Sequence, residues 1–193
     1  MALILNEEQT LLKDSAKDLM TAAAPVTQFR ALRDAKDELG YSKDLWTQMV
    51  DMGWAGICIP EEFGGLDFGF HGLGIVLEET GRTLAASPLV ASILVSASAV
   101  ALGGNETQKK QLLPKLAEGT LLMALALDET AHFSPHRIAT RAESSAGGYK
   151  INGTKIWSSG AHFCHYMIAT VRTGGARDEK NRHEGLSQFL IDL

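Results

Sequence analysis

Apolar positions recur at helical spacing through the first two-thirds of the chain and switch to short, partly alternating runs in the last third. Asn6 with Gln9 three residues on has the form of a capping box. Leu12, Ala16, Leu19, Met20 and Ala23 then keep one face apolar until Pro25, which predicts a first helix. A second helix is predicted to start at Ser42, carry Leu45, Trp46 and Met49 inward, and stop at Gly53. The stretch Ile57–Gly69, punctuated by Pro60, Gly64, Gly65 and Gly69, predicts a loop. Further helices are expected over 72–86, 89–102 and 105–113, the last opened by a second Asn-x-x-Gln cap (Asn105, Gln108) and disturbed at its end by Pro114.

Near Thr120 the period changes. "LLMALALDET" is a continuous apolar run, and "RIATRAE", "YKINGTKIW", "HYMIATV" and "SQFLIDL" follow as strand-like pieces. Asn152-Gly153 is the strongest local hairpin signal, because both turn positions tolerate positive φ. The polar stretch Arg172–Gly185 predicts a mobile surface loop. Helices followed by strands predict an α+β chain of two units, an all-helical domain over 1–120 and a β-domain over 121–193, and exclude a βαβ sheet. With only about five strands and an uncovered last one, the β-domain is expected to be incomplete and to need a partner or further sequence.

Composition narrows the function. The chain has 193 residues, of which 45% are hydrophobic and 21% charged, an ordinary globular balance. A net charge of −5 argues against nucleic acid or an anionic membrane as the main partner. Cys58 and Cys164 form no CxxC pair, so a reducing cytoplasm is the simplest setting. The start "MALILNEEQT" turns acidic too early for a signal peptide. The apolar stretch from Pro88 falls short of the roughly 20 residues needed to span a bilayer, so a core helix is expected and no membrane insertion.

"YKINGTKIWSSGAHF" is the most informative segment. Trp157 follows a tight turn and precedes small residues, Ser158, Ser159, Gly160 and Ala161, that let something flat approach the backbone while the indole walls one side. The same residues also fit a Trp in the core of a β-hairpin. Other constellations carry less. His132 with His136, and His162 with His165 beside Cys164, have the ligand types of a zinc site but not the geometry, since Pro135 breaks a helix and three-residue spacing on a strand splits its faces; no metal is expected. Glu61-Glu62 and Glu78-Glu79 diverge as adjacent residues and predict solvated positions. The pairs Gly64-Gly65 and Gly103-Gly104 belong to turns, with no phosphate-loop pattern, and Ser158 and Ser159 lack a nucleophile-elbow context.

Three segments in order resemble the acyl-CoA dehydrogenase family. "IPEEFGGLDFG" is similar to its Pro-Glu-Glu-Tyr-Gly-Gly loop. "GGNETQKKQLLPKLAEGTLLMALALDE" is similar to the stretch that leads into the first strand of its middle domain. "YKINGTKIWSSGA" is similar to its Tyr-x-Leu-Asn-Gly-x-Lys-x-Trp motif. The resemblance implies an N-terminal helical domain, then a truncated, antiparallel, β-barrel-like domain, without the C-terminal helices that complete the family's site and supply its glutamate base. It implies FAD as cofactor, an acyl-CoA thioester as substrate, α,β-desaturation as reaction, an electron-transfer-flavoprotein-like acceptor, and a homo- or hetero-oligomer. Flavin contacts are implied for Leu125, Leu127, Asp128, Ser134, Trp157, Ser158 and Ser159, with Ser134 also at the substrate and no catalytic residue assignable.

One segment departs from the family pattern. Where the family has Thr-Glu-Pro-x-x-Gly-Ser-Asp, this chain reads "DETAHFSP". Asp128 stands for the Thr, Glu129 is kept, Phe133 falls in the glycine turn, and Pro135 removes a backbone donor. That departure leaves a second reading, a non-catalytic scaffold subunit of a heteromeric dehydrogenase, and a third, a flavin monooxygenase on the same fold.

Overall fold

Residues 4–175 and 182–193 are described by the computed structural model. The chain divides into two compact units, Met1–Leu122 and Met123–Leu193.

The first unit is helical. α1 (Glu7–Ala23) opens with the expected capping box, Asn6 accepting from the Gln9 amide while the Gln9 side chain accepts from the Asn6 amide. α2 (Val26–Ala35) starts after Pro25 without a side-chain cap, ends in a left-handed Lys36, and is additional to the helices expected above. α3 (Lys43–Asp51) is capped by Ser42 and buries Leu45, Trp46 and Met49, as their spacing predicts. The loop over 57–69 carries a short 3-10 turn, Glu61–Phe63. α4 (Gly69–Thr83) packs along α1.

Glu79 of α4 is only 2% exposed. It is held by Arg82 at 3.0 Å and reaches Lys13 of α1 at 3.9 Å. The expectation of a solvated Glu78-Glu79 pair is therefore corrected for Glu79, whose charge burial requires those cations. Leu89–Ala97 winds as a π-helix, with the Ser96 hydroxyl bonded to the Ala91 carbonyl five residues back, and passes into α5 (Ser98–Gly103). α6 (Glu106–Ala117) runs through Pro114 instead of ending before it. Trp54, Ile57, Ile59, Leu73, Leu89, Ile93, Leu113 and Leu116 are at most 1% exposed, and each such side chain contributes about 1.5–3 kcal/mol by leaving water.

The second unit is a five-stranded sheet: β1 (Met123–Ala126), β2 (Arg141–Ser145), β3 (Gly148–Asn152), β4 (Tyr166–Arg172) and β5 (Leu186–Asp192). The α+β class stands, with two refinements: the sheet is open, and it is mixed. β2–β3 and β4–β5 are antiparallel, but β1 pairs with Tyr166–Ala169 in parallel, and Arg141 of β2 meets Arg172 in parallel. Such pairings need long crossovers, which local patterning does not reveal.

The β2–β3 hairpin pairs Ser145 with Gly148 and turns at Ala146-Gly147, so the hairpin expected at Asn152-Gly153 is corrected; Asn152 ends β3. Gly153 serves a close approach instead, because a Cβ there would lie 2.3 Å from the Thr140 hydroxyl. Ala126, Ala142, Ala169 and Val171 form the core of this unit, packed by Ile151, Met167, Phe189 and Ile191. Of the loop expected over 172–185, residues 176–181 lie outside the described residues.

Candidate functional site

The chain leaves β1 at Leu127 and leaves β3 at Gly153, and the two exits are bonded together. The Ile156 amide donates to the Asp128 carbonyl at 2.8 Å. The Lys155 ammonium donates to the Leu127 carbonyl at 3.1 Å and to Glu129 Oε1 at 2.8 Å. Glu129 also accepts from the amides of Ala139 (2.5 Å) and Thr140 (3.0 Å), at the entrance to β2. The two charged side chains are 11% and 8% exposed. Burial alone would raise the Glu129 pKa. The bonds from Lys155 and from the two amides, with the Thr140 side chain close by, outweigh burial and hold the carboxyl at about 2. Glu129 is a structural anion, not a proton donor.

Trp157 follows directly. Its backbone is left-handed, at φ 56°, which is rare for a bulky residue. Its indole is 76% exposed, so the alternative of a Trp in a hairpin core is excluded. Ser158 turns its hydroxyl inward, where it is buried and has no hydrogen-bond partner among the described residues. A tight turn follows: the Ala161 amide bonds the Ser158 carbonyl and the Cys164 amide bonds the Gly160 carbonyl, with Gly160 at φ 80°. Among the described residues the amides of Trp157, Ser158 and Ser159 find no acceptor within the chain.

Of the residues singled out from sequence, Leu127, Asp128, Trp157 and Ser158 are thus brought together by main-chain bonding. Leu125 stands two residues back in β1, in register with Ile168. Ser159 is exposed beside them. Ser134 sits apart in the loop between β1 and β2, its carbonyl accepting from the Arg137 amide at 2.8 Å, and its neighbour Phe133 is 79% exposed.

Two residues that organise the site were passed over in the sequence. Lys155 lies inside the most informative segment, and its place two residues before Trp157 in the Lys-x-Trp part of the family motif is the available signal. Arg172 is 2% exposed and holds the far end of the β1–β2 loop, donating to the carbonyls of Ile138 (3.2 Å) and His136 (3.4 Å) and to that of Glu184 (2.8 Å). No cluster of three His, Cys, Asp or Glu side chains suits a metal ion among the described residues.

An exposed indole face and three consecutive unbonded amides suit a flat heteroaromatic ligand with acceptor atoms along one edge.

Comparison with known proteins bears on which ligand that is. Residues 6–120 match the family model "Acyl-CoA dehydrogenase, N-terminal domain", and residues 124–193 match "Acyl-CoA dehydrogenase, middle domain". The chain is 32% identical over 173 residues to mitochondrial isovaleryl-CoA dehydrogenase of Bos taurus, covering 88% of this chain and 40% of that protein. It superposes on a structure of the G363A variant of the Tcur3481-Tcur3483 steroid ACAD with a TM-score of 0.82 at 27% identity, covering 96% of this chain and 48% of the other. A chain in the structure of the electron transferring flavoprotein of Acidaminococcus fermentans is also similar, with a TM-score of 0.81 at 27% identity, covering all of this chain and 50% of the other. The chain therefore spans about half the length of the proteins it matches, or less.

Proposed function

Because this chain belongs to the acyl-CoA dehydrogenase family, through its N-terminal and middle domains, we propose that it forms the helical and flavin-facing part of an FAD-dependent enzyme that desaturates an acyl-CoA thioester between its α and β carbons. The observation that carries this reading is the exposed, left-handed Trp157 beside the unbonded amides of Trp157–Ser159.

In this reading Trp157 walls one side of the flavin ring, and the Ser159 hydroxyl with the amides of Ser158 and Ser159 bonds its polar edge. Leu125 and Leu127 supply apolar contact, Asp128 lies along the edge, and Ser134 serves both cofactor and thioester. FAD, when bound, would supply the two-electron oxidation, and the acceptor this reading calls for is a carrier of the electron-transfer-flavoprotein kind. The chain's own residues hold the ring, orient it and exclude water from one face. None of them is assigned the proton abstraction. An oligomer and a reducing compartment such as the cytoplasm complete the proposal, the latter because both cysteines are free.

The test is the visible absorption spectrum of the natively purified protein, repeated on the supernatant after denaturation. Release of FAD supports the reading, and folded protein that takes up none from excess FAD refutes it. One observation favours a second reading, a scaffold subunit without flavin chemistry: where the family pattern begins with a Thr hydroxyl, this chain carries the carboxylate residue Asp128, and the altered segment runs on to Pro135. Retention of a partner dehydrogenase by flavin-free protein supports that alternative.

A further inference from the structure

Trp157 raises a mechanical question. A left-handed backbone under a large side chain persists only where the surroundings over-determine it. The indole is 76% exposed, so its own contacts do not hold it there. The restraint comes from the main chain on either side: the turn from Ser158 to Cys164 behind it and the bonds of Lys155 and Ile156 before it.

Those bonds have a particular arrangement. The Ile156 amide takes the carbonyl of Asp128, and alone it would let the two segments pivot about one point. The Lys155 ammonium takes the residues on both sides of Asp128, the carbonyl of Leu127 and the carboxylate of Glu129. Three bonds to three consecutive residues remove the pivot. Glu129 is itself rooted in the sheet through the Ala139 and Thr140 amides, and the Thr140 carbonyl accepts from the amide of Arg172 at the end of β4. A continuous line of bonds thus runs from the sheet through Glu129 and Lys155 to Trp157.

We infer that Lys155 is a positioning residue: by bridging Leu127 and Glu129 it fixes the strand-exit segment 127–129 against the Trp157 segment and so sets the relative placement of the two edges that receive the flavin. The inference rests on the flavin reading for its functional half only. The placement of Trp157 can be read without any cofactor.

The test compares Lys155→Met, Lys155→Arg and, as a stability control that removes none of the three clamp bonds, Val171→Ala in the sheet core, all in the full chain. The fast component of Trp fluorescence anisotropy reports Trp157, because Trp46 and Trp54 are 7% and 1% exposed and fixed in the core. FAD dissociation constants are measured alongside, with thermal unfolding for each variant. We expect Lys155→Met to enlarge the fast component and weaken FAD binding about tenfold, the scale seen when a group that orients binding residues is removed. Lys155→Arg should keep most of the affinity, and Val171→Ala should lower the melting temperature with FAD binding changed less than about twofold.

An unchanged fast component in Lys155→Met overturns the inference, and so does an equal loss of affinity in Lys155→Met and Val171→Ala at matched destabilisation. A mobile Trp157 with undiminished FAD binding overturns it too. If the parent protein binds no FAD, the flavin reading falls, and the anisotropy alone decides whether Lys155 positions Trp157. Should Lys155→Met fail to fold, Glu129→Gln weakens the same bond with its shape kept and is judged by the same readings.

Discussion

The amide of Ile156 reaches the carbonyl of Asp128 at 2.8 Å, so the segment presenting Trp157 hangs from the segment in which this chain departs from its family's pattern. The bond uses only main-chain atoms, and it survives the change of side chain at Asp128. That accounts for how a loop so altered over Asp128–Pro135 still delivers an exposed indole next to the strand exit. Hydrogen bonding to backbone carries the geometry, and the side chains carry the chemistry.

Acid should find Glu129. Its pKa is lowered from 4.5 to about 2 in the folded protein, so the carboxylate stabilises the fold above about pH 4.5 and loses that contribution as pH falls towards 2. The contribution is on the order of 2–3 kcal/mol, given that the side chain is mostly but not wholly buried. Urea unfolding between pH 2 and 7 should show a steep loss of stability on the acid side, and Glu129→Gln should be less stable at pH 7 with a flatter profile. Parallel profiles for the two proteins would refute the assignment.

Trp157→Gly should separate stability from binding. Glycine relieves the left-handed strain, worth about 1 kcal/mol, and an exposed indole forfeits little packing. The cofactor-free variant is therefore expected to melt at or above the parent temperature while failing to retain FAD through gel filtration. Destabilisation of the cofactor-free variant would mean that the indole packs on something after all.

Gly153→Ala should be costly without any change in chemistry. The added Cβ would lie 2.3 Å from Thr140 Oγ1 and 2.6 Å from Thr140 Cβ, at the point where Thr140 supports Glu129. Relief requires a backbone shift, and overpacking of this kind costs about 1–3 kcal/mol, read as a lower denaturant midpoint.

In the helical unit, Gly64 and Gly65 should behave differently despite being neighbours. Gly64 is left-handed at φ 82° with open space around it, so Gly64→Ala costs only the strain, about 1 kcal/mol. At Gly65 an added Cβ would sit 1.9 Å from the Ile59 carbonyl oxygen, a backbone atom that cannot step aside. Gly65→Ala should be the more damaging of the two in thermal unfolding by several degrees, at about 3–5 °C per kcal/mol for a unit between the small and large size classes.

The helical unit was largely legible because its signals are local. Asn6 with Gln9 and Asn105 with Gln108 form the two capping boxes their spacing announced. α2 is less legible because Pro25 offers no side-chain cap and none of its residues is buried, although Val26, Phe29, Leu32 and Ala35 do recur at helical spacing. Pro114 suggested an ending that did not come; its missing donor and ring are accommodated inside α6.

In the sheet unit local signals misled. Asn152-Gly153 has turn chemistry, but the register of β2 with β3 put the turn at Ala146-Gly147, and Gly153 was needed for its lack of a Cβ. The parallel pairing of β1 with β4 joins residues far apart in sequence, which no periodicity encodes. The same holds for Lys155 and Glu129. Each looks like an ordinary surface charge, and only the fold makes the pair.

The π-helical stretch Leu89–Ala97 has a consequence for length. A π turn takes up more residues than an α turn over the same rise. Losing one residue within it lets the chain close as an α-helix between unchanged end points. The same deletion in α6 would swing Leu112, Leu113 and Leu116 by about 100° away from the core. Insertions and deletions among relatives should therefore collect between Leu89 and Ala97, where the fold keeps its slack.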